Sequence, residues 1–109
     1  MRIAYQGEPG ANSHLVIIQN FPDAEPVACA SFEDAFAAVK TGNCELAMIP
    51  IDNSLAGRVA DIHHLIPSSG LHIVGERFLR IQFALMGSVG TSLASIKSVH
   101  SHVHALGQC

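Results

Sequence analysis

The stretch Glu45-Leu46-Ala47-Met48-Ile49 runs straight into Pro50-Ile51-Asp52-Asn53-Ser54, so an apolar run turns polar within a few residues. An apolar run with no polar alternation suits a strand covered on both faces, and such strands belong to parallel sheets flanked by helices. A chain built around this segment is expected to be an α/β protein whose strand delivers a short polar segment to a cleft. Asp52, Asn53 and Ser54 are then the first residues to consider as ligand contacts. Capping of the next helix by Asn53 or Ser54 is the alternative use of the same side chains.

The flanking sequence fits that frame. Arg2-Ile3-Ala4-Tyr5 reads as a short strand, punctuated by Gln6-Gly7-Glu8-Pro9-Gly10. Asn12 or Ser13 can cap a helix running through Leu15 to Ile18, with Leu15 and Ile18 on one face. Glu25 to Cys29 can form a second strand, with Pro26 at its edge. Ser31-Phe32-Glu33-Asp34 reads as a helix start of the capping-box kind. Phe32, Ala35, Phe36 and Val39 then share a face, and Gly42 is placed for a left-handed end. The order strand, helix, strand, helix, strand implies a parallel sheet.

Beyond it, Arg58 to Ile66 is expected to be helical, ending at Pro67-Ser68-Ser69-Gly70. Gly57 is a poor interior helix residue and makes more sense beside the ligand segment. Leu71 to Val74 reads as a strand. Phe78 to Met86 alternates over a length unusual for one strand, as a crossing between two lobes or a hairpin would. Ile96 to His100 reads as a further strand, with Ser101 capping a helix from His102. That helix ends early, at Cys109, which suggests part of a larger fold.

At 109 residues and 49% hydrophobic content, the chain can fill one modest core. A net charge of -3 and scattered basic residues exclude the concentrated basic surface of a nucleic-acid binder. No apolar stretch reaches the roughly 20 residues that span a bilayer, and no signal peptide is visible. Cys29, Cys44 and Cys109 are odd in number and widely spaced, which suits reduced thiols in the cytoplasm better than a disulfide scaffold.

Seven histidines do not make a metal motif. His63 and His64 are adjacent and do not share a helical face. His100, His102 and His104 alternate where the strand is expected to become a helix, and no His-Glu-x-x-His pattern occurs. His14 can lie near the glycine turn or simply pack. No Gly-x-Ser-x-Gly elbow supports a serine hydrolase. The glycine turn does not match the dinucleotide pattern, and no Walker ending follows it. Ser101 and Gln108 are seven residues apart, which on one helix puts them near the same side. Two strand ends of this kind facing a cleft would suit a small carboxylate ligand. No cofactor or metal is expected.

Several blocks together carry a family resemblance. They are Ala4-Tyr5-Gln6-Gly7-Glu8-Pro9-Gly10-Ala11-Asn12-Ser13-His14, Ser31-Phe32-Glu33-Asp34-Ala35-Phe36-Ala37-Ala38-Val39 and Ile49-Pro50-Ile51-Asp52-Asn53-Ser54 with Gly57. Gly75-Glu76, Val99-His100-Ser101-His102 and Ala105-Leu106-Gly107-Gln108-Cys109 complete the set. In this order they resemble the N-terminal part of the prephenate dehydratase domain, over essentially the whole chain.

The resemblance implies a carbon–oxygen lyase of L-phenylalanine biosynthesis that converts prephenate to phenylpyruvate, water and carbon dioxide. It implies a two-lobed fold like the type II periplasmic binding proteins, a three-layer sandwich that is incomplete here. Residues 1–80 would be the first lobe, lacking a returning segment, and 81–109 the crossover and start of the second. The rest of the domain and a C-terminal ACT domain, through which L-phenylalanine would act, are absent. A full-length homodimer or homotetramer in the cytoplasm is implied.

By the same resemblance Asp52, Asn53, Ser101 and Gln108 are catalytic. Ala11, Asn12, Ser13, Ser54, Gly57 and His102 bind substrate. The chain departs from the family pattern in places. Asp52 stands where the family usually has Glu, and Ala11 where Thr is common. The family's Thr-Arg-Phe motif, with the catalytic hydroxyl and a carboxylate-holding Arg, is absent, so the segment is expected to be inactive alone. Arogenate dehydratase and a non-catalytic small-carboxylate binder of the same fold are the alternatives.

Overall fold

The computed structural model of the chain describes residues 1–53 and 57–109, without the side-chain surroundings of residues 57, 58, 60 and 104. The chain divides into two compact units, Met1–Leu79 and Arg80–Cys109.

The first unit is a mixed α/β layer arrangement. Strand β1 (Arg2–Gln6) lies between β2 (Glu25–Cys29) and β3 (Leu46–Met48), and both neighbours run parallel to it. The side chains of β1 alternate as a pleated strand requires. Ile3 and Tyr5 point to one face, where they pack with Ile17 of helix α1 (Asn12–Asn20) and with Phe21, Leu46 and Met48. Ala4 points to the other face, where it packs with Ala35 of helix α2 (Phe32–Lys40), with Cys44 and with Val39 and Ala47. Ile3, Ala4, Ile17 and Ala35 are fully buried. Two helices on opposite faces of three parallel strands are what the apolar strand pattern required.

The N-terminal ends of the strands are tied together by Arg2. Its backbone N–H donates to Glu45 Oε2 at 2.7 Å, and its guanidinium donates to the Asn43 carbonyl at 3.0 Å. Arg2 Nε lies 3.4 Å from Glu25 Oε2. The hydrogen bond from the Arg2 N–H holds the Glu45 carboxyl below the usual carboxylate range.

Helix α2 starts and stops as its sequence directs. Ser31 Oγ accepts from the Asp34 N–H at 3.1 Å, Glu33 and Asp34 sit in the first turn and Lys40 in the last. Gly42 follows the C-cap with φ +81°, the left-handed conformation that favours glycine.

Helix α1 departs from expectation. Its N-cap is Ala11, not Asn12 or Ser13, and no side chain caps it. Leu15 and Ile18 do share a face, but it is the exposed one; Val16 and Ile17 are buried. The wholly apolar run left the buried face open, and the sheet chose it.

After β3 the chain forms a short antiparallel ladder. Strand β4 (Asp52–Asn53) pairs with β5 (Gly57–Arg58), Asn53 opposite Gly57. Asn53 is therefore not a helix cap, and Gly57 and Arg58 are strand rather than helix. Helix α3 (Ala60–Ser69) follows, with Val59 as N-cap, and lies against α2. It runs through Pro67 to a left-handed Gly70 at φ +73°, instead of ending at the proline. Ser69 makes the longer helix tolerable: its Oγ donates to the Ile66 carbonyl at 2.8 Å and accepts from the Leu71 N–H at 3.1 Å.

The three later strand expectations fail. Residues 71–74, 78–86 and 96–100 have no regular secondary structure. Alternation makes a strand only where a neighbour supplies ladder hydrogen bonds, and none of the described strands pairs there. Val74, Phe78 and Met86 are 80%, 88% and 88% exposed. The stretch after α3 is held at Arg77, whose guanidinium lies 5.4 Å from the Phe21 ring centroid. The second unit contains a 3₁₀ turn at Leu93–Ser95 and helix α4 (Val103–Gln108), which begins one residue later than expected. Among the described residues no helix is long and apolar enough to cross a membrane.

Ile17→Ala opens a cavity in a fully buried position and is expected to lower unfolding free energy by about 2–5 kcal/mol. Ser31→Ala removes the α2 cap and is expected to cost about 1 kcal/mol. Urea denaturation followed by circular dichroism measures both.

Candidate functional site

The strand order β2-β1-β3 places a topological switch between β1 and β3. The chain leaves β1 toward β2 on one side and later crosses to β3 on the other. In open parallel sheets the crevice at such a switch, beyond the carboxyl ends of the strands, is where ligands bind. Two segments border it here: the glycine turn after β1, and the polar segment after β3. Tyr5 and Met48 are register partners, so the two segments leave adjacent strand ends.

The glycine turn is a closed structure. Gly7 and Gly10 have φ +120° and +94°, and a Cβ on Gly7 would lie 3.3 Å from the Ala11 Cβ. The Gly7 N–H donates to the Cys29 carbonyl at 3.0 Å and the Ala11 N–H to the Glu8 carbonyl at 3.0 Å. The Gly10 N–H donates to His14 Nδ1 at 2.8 Å. These amides hold the turn and are not on offer to a ligand. The N–H groups that a helix start leaves over belong to the first turn of α1, and Ala11 at the N-cap contributes no oxygen to them.

His14 was not singled out as a site residue from the sequence. Its ring stacks on buried Tyr5, with centroids 5.3 Å apart and planes at 21°. The signal was present in its spacing: His14 is the third helical residue, where capping-box side chains reach back to backbone N–H groups. Burial, then the Glu8 carboxylate, push the Tyr5 hydroxyl up. The Cys29 thiol is also pushed up, first by burial and then by Cys44 and Asp34.

Of the sequence candidates, Ala11, Asn12 and Ser13 form the start of α1, with Asn12 exposed and Ser13 half-buried. Asp52 is exposed, and its Oδ1 accepts from the Asn53 N–H at 2.9 Å. Asn53 is half-buried and opposite Gly57 in the ladder. In the chain, Ala11 follows the end of β1, and Asp52 the end of β3, by a few residues each. Ser54 lies outside the described residues. Ser101 and His102 are exposed and precede α4, while Gln108 is its last residue and half-buried. Ser101 stands outside the helix, so helical geometry does not by itself put it on one side with Gln108. Among the described residues no group of three or more His, Cys, Asp or Glu side chains is placed to hold a metal ion.

The family model for prephenate dehydratase matches residues 3–109. The chain belongs to the prephenate dehydratase family. It is 47% identical over 106 residues to a Komagataeibacter europaeus protein named bifunctional N-acyl-homoserine lactone acylase/prephenate dehydratase, covering 97% of this chain and 38% of that one. It is 40% identical over 109 residues to the Arabidopsis thaliana arogenate dehydratase/prephenate dehydratase 1, chloroplastic, covering 100% of this chain and 28% of that one. A solved structure described as GqqA, a novel type of quorum quenching acylases, superposes with a TM-score of 0.69 at 50% identity, over 75% of this chain and 30% of that one. The prephenate dehydratase segment described here thus spans well under half of these relatives.

The thiols are expected to react in the order of their exposure. Cys109 is exposed, Cys29 half-buried with a raised pKa, and Cys44 buried. Titration with a disulfide reagent near pH 8 is expected to modify Cys109 first, with Cys44 reacting only on denaturation.

Proposed function

We propose that the protein is a prephenate dehydratase and that the β1/β3 switch forms one half of its substrate site. The observation carrying this reading is the family match over residues 3–109; it is supported by a fold in which the segments leading to Ala11–Ser13 and to Asp52–Asn53 leave adjacent strands. Two carboxylates must be held in prephenate, and an uncapped helix start beside an amide side chain is suited to one of them. The reaction makes an aromatic ring. The bond to the ring carboxylate breaks and releases carbon dioxide, its electron pair enters the ring, and the C–O bond opposite breaks. The leaving hydroxide takes a proton and departs as water, which general-acid help and fixed donors would accelerate without a cofactor.

In this reading Asn53, Ser101 and Gln108 position substrate and Asp52 orients its neighbours. Ser54, Gly57 and His102 complete the binding surface. Residues 1–80 belong to a first lobe and 81–109 lead into a second, as in type II periplasmic binding proteins. Thr-Arg-Phe does not occur in these 109 residues, and this reading assigns the proton donor and the second carboxylate clamp to none of them. Phenylalanine regulation through an ACT domain, a cytoplasmic location and a homo-oligomer are parts of the same proposal.

Arogenate is the competing substrate, because a relative 40% identical carries both activities in its name. A second reading adds acylase activity, and the 47% identical relative, named for acylase and dehydratase together, favours it. The full natural gene product should be assayed with prephenate, arogenate and an N-acyl-homoserine lactone in parallel. Phenylpyruvate from prephenate is the expected result, and release of homoserine lactone would establish the second reading. Asn53→Ala is expected to lower kcat/KM about 10- to 100-fold, the cost of one hydrogen bond to a charged group. An unchanged value would remove Asn53 from the site.

A further inference from the structure

We infer that His14 is a positioning residue of the proposed dehydratase site, acting through the glycine turn after β1. The inference rests on the reading above, since the turn matters to function only if it borders the substrate.

Three constraints meet at this side chain. A backbone N–H can only donate, so the 2.8 Å contact from Gly10 makes His14 Nδ1 the acceptor. In the neutral ring the proton is then on Nε2. The ring is also stacked on Tyr5, which is 1% exposed and belongs to the central strand. The acceptor is therefore fixed to the sheet rather than to the turn alone. Finally, Gly10 itself sits at φ +94° with nothing within 4 Å of the space a Cβ would occupy. The Ala11 N–H to Glu8 carbonyl bond closes a turn with Pro9 and Gly10 at its centre, and the hydrogen bond to His14 ties that turn to α1.

The consequence is a defined entry into α1. With Ala11 as N-cap, no hydroxyl fixes the start of the helix as Ser31 does for α2. His14 reaches back instead, from the third helical position to the residue before the cap. The first turn at Asn12 and Ser13 is thereby kept in place.

The test uses the full natural gene product with His14→Phe and His14→Gln. Phe keeps a ring against Tyr5 but offers no acceptor. Gln gives up the ring but restores an acceptor at the position where capping-box side chains work. His14→Phe is expected to raise KM about tenfold with kcat changed less than about threefold, as loss of one hydrogen bond in a binding turn would. His14→Gln is expected to return KM to within about threefold of the natural protein. Hydrogen exchange at the Gly10 amide should be faster in the Phe variant and protected in the Gln variant.

A Phe variant with natural KM and natural Gly10 exchange overturns the inference, as does a Gln variant no better than Phe. A natural protein inert toward both prephenate and arogenate overturns the dehydratase reading and this role with it. A natural protein that is active beside an unaffected Phe variant overturns the positioning role alone.

Discussion

Pairing of β1 with a parallel strand on each side is the constraint on which the rest of the first unit depends. A central strand must bury both faces, so Ile3 and Tyr5 need one helix and Ala4 needs another. Supplying helices to both faces from a single chain requires a change of direction across β1. That change creates the switch between β1 and β3. The candidate site is thus a by-product of how the core is closed, and the residues that border it are those that happen to follow two adjacent strand ends.

The two borders of the crevice are built on different principles. After β1 the backbone is bent by Gly7 and Gly10, and the turn's amides are satisfied internally by Cys29, Glu8 and His14. Behind it the start of α1 has no side-chain cap. After β3 the backbone is engaged in the β4–β5 ladder, so side chains carry the polar function there. Asp52 already accepts the Asn53 N–H, consistent with a carboxylate that arranges its neighbour. The chain belongs to the prephenate dehydratase family.

Much of the first unit was legible in the chain. Strands β1, β2 and β3, the Ser31 cap and the Gly42 terminus follow from local chemistry, because each is decided by neighbouring residues. The family, too, was legible, since its blocks are spread along the chain in a fixed order. Other features depended on distant partners. Leu15-Val16-Ile17-Ile18 is apolar on every side, and only the sheet determined that Val16 and Ile17 face inward. The alternation at 78–86 looked like a strand but found no ladder partner among the described strands. Pro67 looked like a helix end, yet the Ser69 hydroxyl supports a helix that runs on to Ser69.

The polar segment at Asp52 and Asn53 shows where the two kinds of information divide. Sequence alone determined that an apolar strand ends there and that acid and amide side chains follow, because strand burial and polar character are local properties. Tertiary structure decided that these residues pair with Gly57 and Arg58 instead of capping a helix, and that the strand before them pairs with β1, whose following turn His14 holds. Both outcomes turn on which backbone groups find partners across the fold. Such pairing is a competition between distant segments for the same hydrogen bonds, and no stretch of the chain read by itself contains its result.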